Sequence, residues 1–238
     1  MNLPSILRRT LALLALALPL LATAQEATIR KTLTDRIPGL ASIDEISKTP
    51  MPGLFEVRIG NDIFYTDPEG NYLIQGALID TRARKNLTEE RIDKLTAVDF
   101  KELQLKNAVT VVRGNGKRKL AVFADPNCPY CKRFEKDLEK IDNVTVHTFL
   151  IPILGADSVE KSKRIWCASD KVKSWDDWML RNVAPKEAGA KCNTDALDAN
   201  VAFARKYNIT GTPTLVFTDG HRVPGAINTQ QIEQLLAR

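Results

Sequence analysis

The stretch Phe123-Ala124-Asp125-Pro126-Asn127-Cys128-Pro129-Tyr130-Cys131-Lys132-Arg133-Phe134 runs from an apolar segment through a turn into a helix carrying two cysteines. Two thiols two residues apart can close a small disulfide or ligate a metal, and their surroundings decide which. Pro129 suits a first helical position, where its missing N–H would be unpaired anyway and its fixed φ matches the helix. Cys131, Phe134, Leu138 and Ile141 then recur at helical spacing, which puts them on one face and predicts that Cys131 points into a core. Lys132, Arg133, Lys136, Asp137 and Lys140 take the other faces. Cys128 is expected outermost, at the helix start, where unpaired N–H groups and the helix dipole stabilise a thiolate. That makes Cys128 the expected nucleophile and Cys131 the thiol that resolves a mixed disulfide. An exposed helix start is a poor site for a passive staple. A structural zinc needs four ligands, and Cys167, Cys192 and two scattered histidines offer no second close pair, so neither a metal nor a cofactor is expected.

The flanking sequence supplies a sheet and more helices. Val109 to Val112 reads as a strand, Gly114-Asn115-Gly116 as a hairpin turn, and Lys119 to Ala124 as the returning strand. Asn143 to Leu150, rich in β-branched residues, reads as another strand. Residues 157 to about 205 read mostly as helices, with Ser174 and Asp177 marking one start and Leu197, Val201 and Ala204 recurring at helical spacing. In Ile209-Thr210-Gly211-Thr212-Pro213-Thr214-Leu215-Val216-Phe217, a proline without a ladder N–H heads an apolar strand, and the sequence leaves its peptide isomer open. An Asp219-Gly220 turn and a helix from about Asn228 complete the chain. Cys167 and Cys192 are the partners left once the first pair is assigned. A disulfide between them, closing a loop of this size, contributes roughly 3 kcal/mol in the chain-entropy model.

Upstream, Thr81 to Lys106 is rich in charge and helix formers, and Asn86 with Glu89 fits an N-terminal capping pattern, so a linker helix is expected over 86–106. Before it, residues 25–85 carry short strand patterns (Leu54, Val57, Ile59; Ile63 to Tyr65; Asn71 to Ile79) separated by Gly60-Asn61-Asp62 and Asp67-Pro68-Glu69-Gly70. They read as a small antiparallel sheet with at most one helix before it, a size at which pairing often completes the core. Residues 107–238 form the larger domain, and the fold class is α+β.

Residues 1–24 have the order of a secretory signal: Arg8 and Arg9, an apolar run from Leu11 to Leu21, then Ala22-Thr23-Ala24 as the cleavage site. The run is too short to cross ~30 Å of hydrocarbon, which takes roughly 20 apolar residues. Its removal takes two of the 34 basic residues and none of the 29 acidic ones, leaving a net charge of +3. So weak and dispersed a charge does not make a nucleic-acid surface, because that needs basic groups clustered on one face. In an oxidising compartment four cysteines suggest two disulfides, although an exchange pair can be kept reduced.

Cys128-Pro129-Tyr130-Cys131 between a strand and a helix, with Gly211-Thr212-Pro213 before a late strand, resembles the thioredoxin fold. With the export signal, small N-terminal sheet, linker and helical insertion carrying Cys167 and Cys192, the chain resembles the DsbC/DsbG family of periplasmic protein-disulfide isomerases. The resemblance implies a homodimer joined through cystatin-like N-terminal domains, with thioredoxin-like domains facing a cleft that holds misfolded, disulfide-containing proteins. It implies a pair kept reduced by the membrane protein DsbD. It also implies that Thr212, Pro213 and Tyr130 meet the substrate, with the Thr212 backbone aligning its strand. Pro-Tyr between the cysteines is similar to DsbG, whereas the second cysteine pair is similar to DsbC. Where thioredoxin buries an acid six residues before its first cysteine, this chain has Val122, and Asp125 reads as a turn former. His147 and His221 read as ordinary surface or core residues. Three activities follow for test: disulfide isomerisation, dithiol oxidation as in DsbA, and a holdase or DsbG-like reductase/chaperone role that binds unfolded chains.

Overall fold

A computed structural model describes residues 24–187, 189 and 191–238. The signal expected over 1–24 therefore lies, Ala24 apart, outside the described residues. Among the described residues no helix is long and apolar enough to cross a membrane. The chain divides into two compact units between Leu95 and Thr96.

In the first unit a helix over residues 24–36 (α1) precedes β1 (Glu45–Lys48), β2 (Phe55–Ile59), β3 (Asp62–Thr66) and β4 (Leu73–Gln75). These strands form an antiparallel sheet in sequential order. Alternation along the strands buries Phe55 and Val57 on β2, and Ile29 and Leu33, one turn apart on α1, close the same cluster with Ile43 and Ile46. A two-stranded ribbon, β5 (Ile79–Asp80) and β6 (Lys85–Asn86), leads into α2 (Leu87–Thr96). Asn86 accepts the Glu89 N–H at 3.1 Å, as its capping pattern suggested. The helix is shorter than the 86–106 expected. It stops where Val98, fully buried, donates its N–H to Gly220 and Asp99 caps a 3₁₀ turn, Phe100–Glu102; a second, Leu105–Asn107, follows.

The second unit is built on a mixed five-stranded sheet in the order β11-β10-β8-β9-β7: β7 (Val109–Arg113), β8 (Arg118–Ala124), β9 (Val144–Leu150), β10 (Thr214–Phe217) and β11 (Arg222–Pro224). Its helices are α3 (Pro129–Leu138), α4 (Ala156–Trp166), α5 (Lys171–Arg181), α6 (Asp195–Lys206) and α7 (Thr229–Leu236). The expected β7–β8 hairpin does not form. The β8–α3–β9 crossover brings β9 parallel to β8 and inserts it between the two strands, so β7 pairs with β9 instead. Gly114 lets the chain pass over the start of β9: its φ is +56°, and a side chain there would collide with Asp142 and Asn143. The helix start expected at Ser174 lies earlier, because Asp170 accepts the Lys173 N–H and caps α5.

Period two along β8 sorts the core onto two faces. Leu120, Val122 and Ala124 pack with Cys131, Phe134 and Leu138 of α3 and with Trp175 and Met179 of α5. Ala121 and Phe123 pack on the other face with Phe149, Ala204 and Val216, and the Phe123 ring stacks between Phe149 and Phe203 at 5.1 and 5.7 Å. This double cover makes β8 a central strand, and the two cysteines follow its carboxyl end.

Candidate active site

The chain leaves β8 at Ala124 and reaches α3 in four residues, with the turn held by Asp125. That side chain is fully buried, and its carboxylate accepts hydrogen bonds from the Asn127 N–H (2.7 Å), the Ile153 and Leu154 N–H groups (2.8 and 2.9 Å) and the Ser158 hydroxyl (2.7 Å). Four donors on one side chain satisfy a buried polar group that would otherwise be costly. The turn-forming role read from the sequence is therefore present, and it reaches further than the local sequence indicated. The Asp125 carbonyl also accepts the Cys128 N–H at 3.1 Å.

Cys128 is the residue before the first turn of α3, with extended backbone and Pro129 next to it. Its side chain makes no capping hydrogen bond to the N–H groups of that turn. Cys128 is not the exposed outermost group expected: its relative exposure is 4%. The physical reason is the late segment Gly211-Thr212-Pro213, whose Thr212–Pro213 peptide is cis and whose Thr212 carbonyl accepts a hydrogen bond from the Cys128 thiol at 3.2 Å. Pro213 itself is buried and Thr212 half-buried. The Pro213 carbonyl accepts the Gly225 N–H at 2.8 Å, and Thr214 donates its hydroxyl to Gly211, which fixes the segment at the head of β10. Thus Cys128, Thr212 and Pro213 converge from 84 residues apart in sequence.

Cys131 follows one turn later at 1% exposure, and, like Cys128, it is a free thiol. Burial pushes the Cys131 thiol well above its ordinary value, and the neighbouring Cys128 adds to the effect. Tyr130, between the two, stands out at 61% exposure.

A second ring of contacts was not legible in the sequence. The Trp178 indole of α5 donates to the Pro126 carbonyl at 2.6 Å, and the Lys132 ammonium lies 3.8 Å from the centre of the same ring while donating to Asn182 at 2.6 Å. Glu135, fully enclosed one turn beyond Cys131, accepts the Trp175 indole N–H at 2.9 Å. Burial raises its carboxyl to about 7. The helical spacing of Glu135 relative to Cys131 was the available signal.

The remaining cysteines are joined: Cys167, capping the end of α4, is bonded to Cys192 with a Cα separation of 5.8 Å. Beside them the Trp166 indole donates to the Asn193 carbonyl at 3.0 Å. His147 is buried, bonded through Nδ1 to Thr110, and held below its ordinary basicity first by burial and then by Lys119, which fits a core residue.

Comparison with known proteins adds to this geometry. Residues 105–238 match a thioredoxin-like domain and residues 20–89 match the N-terminal domain of disulfide bond isomerase proteins. The chain is 43% identical over 212 residues to a Bordetella pertussis protein named "Probable thiol:disulfide interchange protein DsbC", covering 89% of this chain and 74% of that protein. It is 31% identical over 223 residues to the thiol:disulfide interchange protein DsbC of Escherichia coli, covering 90% and 89%. Among solved structures, a disulfide interchange protein from Neisseria gonorrhoeae shares 39% identity at a TM-score of 0.53, over 57% of this chain and 96% of that one.

Proposed function

The chain belongs to the DsbC family of thiol:disulfide interchange proteins, and on that premise we propose that it is a protein-disulfide isomerase working through Cys128 and Cys131. The observation that carries the proposal is the inequality of the two thiols. Cys128 sits at a helix start with free N–H groups and a backbone carbonyl at 3.2 Å, while Cys131 lies in the dry core with its thiol pushed up. A thiolate is the attacking species in disulfide exchange, and of the two thiols Cys128 is the one at the helix start, ahead of the buried Cys131.

In the first step the Cys128 thiolate attacks one sulfur of a substrate disulfide. A bond forms between Cys128 and that sulfur, the substrate S–S bond breaks, and the other substrate sulfur leaves as a thiolate. Isomerisation follows when a substrate thiolate attacks elsewhere in the substrate and a final substrate thiolate displaces Cys128, with no net change in electrons. When rearrangement stalls, Cys131 loses its proton and attacks Cys128. The substrate then leaves reduced by two electrons and the pair is left as a disulfide, which the membrane reductant DsbD would reduce in turn.

Thr212, Pro213 and Tyr130 are the proposed substrate contacts, and the Thr212 carbonyl, open to a neighbouring strand once the thiol is consumed, is the alignment point. We assign the Cys167–Cys192 bond a structural role. The first unit, with its N-terminal-domain match, is proposed to pair two copies, with residues 25–85 as the dimerisation domain, 86–106 as the linker and 107–238 as the catalytic domain. Residues 1–24 would direct export to the periplasm, where misfolded disulfide-containing proteins are the substrates and chaperone-like binding of unfolded chains accompanies exchange. Refolding a scrambled, disulfide-rich protein with the reduced chain tests the reading. Recovery that depends on Cys128 supports it. Oxidation of a reduced substrate without isomerisation of a scrambled one would instead indicate a dithiol oxidase.

A further inference from the structure

Beside the redox turn two ammonium groups share one indole ring. Lys132 of α3 lies 3.8 Å from the centre of the Trp178 ring and Lys161 of α4 lies 4.6 Å from it, while the indole N–H is given to the Pro126 carbonyl at 2.6 Å. The ring attracts each cation, but two like charges at one ring repel each other. Their surroundings neutralise only half of that charge. Lys161 pairs with Asp157, which also takes the Asn127 side-chain amide at 2.6 Å. Lys132 donates to the neutral amide of Asn182 at 2.6 Å, and among the described residues no carboxylate lies within ion-pair distance of it. Burial, and after it the charge of Lys161, lower the basicity of Lys132. One carboxylate thus faces two ammonium groups, which leaves a positive charge in excess at a half-buried position directly after Cys131 in the chain.

We propose that Lys132 and Lys161 form an anion subsite that takes an acidic side chain of the substrate polypeptide while Cys128 attacks its disulfide. The inference rests on the exchange activity proposed above and adds a preference within it, for disulfides bordered by Asp or Glu. Continuity places the subsite at the reaction. Trp178, which carries both cations, holds the Pro126 carbonyl two residues before Cys128; Asn127, bonded to Asp157, is the residue before it; and the Lys132 N–H donates to the Cys128 carbonyl at 3.1 Å. A carboxylate bound there meets two ammonium donors and relieves their repulsion, whereas a substrate lysine adds a third like charge. Asp157 limits the site, because its own carboxylate already occupies Lys161. Both lysines act on the choice of substrate and not on the bond exchanged.

The test uses the full reduced chain and three peptide disulfides that differ only in the residue bordering each cysteine, Glu, Gln or Lys. The parent is expected to exchange fastest with the Glu peptide and slowest with the Lys peptide. The Glu-to-Gln ratio of kcat/KM should be about threefold to fivefold at low salt, the scale of a single exposed charge contact. About 1 M salt, which screens charges beyond roughly 3 Å, should bring that ratio near one. Lys132→Met keeps an apolar stem for the Trp178 ring and removes the charge, so the ratio should fall to near one, and Lys132→Arg should keep it. Asp157→Asn removes the one carboxylate of the cluster and should raise it. If the two stems only pack on Trp178, loss of Lys132 moves all three peptides alike, and that result overturns the subsite. So does a parent without the order Glu, Gln, Lys, a ratio that survives salt, or one that Asp157→Asn leaves unchanged or lowers. Failure of the parent to exchange with any of the peptides overturns the proposed activity itself. If circular dichroism shows Lys132→Met unfolded, the salt dependence of the parent and the Asp157→Asn ratio decide.

Discussion

Cys128 and Cys131 stand within one turn of α3 as free thiols, whereas Cys167 and Cys192, 25 residues apart, are bonded across the end of α4. Exposure does not distinguish the pairs in the expected direction. The proposed nucleophile is buried, while Cys192 of the bonded pair is exposed. What separates them is the setting of each sulfur. Cys128 lies at a helix start, where its thiol donates to the Thr212 carbonyl, and Cys131 is desolvated one turn further on. Cys167 lies at the opposite end of its helix, where the dipole disfavours an anion, and Cys192 lies in a loop.

The largest expected effect breaks the first pair. Cys128→Ser should bring isomerisation of scrambled substrate to background. Cys131→Ser should leave attack intact and trap mixed disulfides, visible as covalent adducts on non-reducing gels. Equal loss in the two variants without adducts would mean that the thiols are not unequal. The sharper reading of Cys131 is that its raised thiol leaves it inert on its own. In Cys128→Ser it should resist iodoacetamide well above the pH at which an ordinary thiol reacts, and ready alkylation would contradict its burial. Breaking the second pair should act on stability instead: Cys167→Ser/Cys192→Ser should lose about 3 kcal/mol in chemical denaturation. Initial attack by Cys128 should persist in the folded variant.

The local geometry of the first pair was largely legible, because it is written within a short stretch. The strand, turn, Pro129 and the spacing of Cys131, Phe134, Leu138 and Ile141 all fall within one short stretch, and those four side chains are all buried. The sheet order was not legible. Gly114-Asn115-Gly116 has the composition of a hairpin, and only the non-local insertion of β9 decides otherwise. Asp125 was half legible: its turn is local, but Ile153, Leu154 and Ser158 arrive from 28, 29 and 33 residues away. The low exposure of Cys128 depends on Thr212, further still along the chain, and could not be read from a helix pattern.

Glu135 offers a smaller effect, and one that depends on pH. Its folded value is raised to about 7 from an ordinary 4.5, chiefly by burial, against the favourable Trp175 hydrogen bond and the charge of Arg113. A raised folded value means that the contribution to stability is fully present below about pH 4.5 and is lost as pH rises through 7. The difference in unfolding free energy between Glu135→Gln and the parent should therefore shift in favour of the variant by about 2–3 kcal/mol between pH 5 and 8. Denaturant titrations of both proteins across that range measure it. A difference independent of pH would show that the carboxyl keeps one protonation state. Exchange by Cys128 should be retained, which would separate the fold behind the first pair from its chemistry.

The smallest effect concerns the frame around the turn that leads to Cys128, the proposed nucleophile. Trp178 gives its indole N–H to the Pro126 carbonyl, two residues before Cys128, and carries the Lys132 ammonium on its ring. Trp178→Phe keeps an aromatic surface under Lys132 but removes the hydrogen bond, at a cost of about 1 kcal/mol. If the indole only packs α5 against the redox turn, unfolding free energy should fall by that amount and the rate of Cys128 attack on glutathione disulfide should not move. If it also fixes the turn, the rate should fall by a few-fold, since misplacement of a reacting atom is expensive even at small displacement. At the 167–192 pair, Trp166 donates to the carbonyl of Asn193, the residue after Cys192. Trp166→Phe therefore provides the control: stability should fall comparably, with the exchange rate unaffected. A rate that drops equally in both variants would mean that general loosening of the unit, and not the tether at Pro126, sets the reactivity of Cys128.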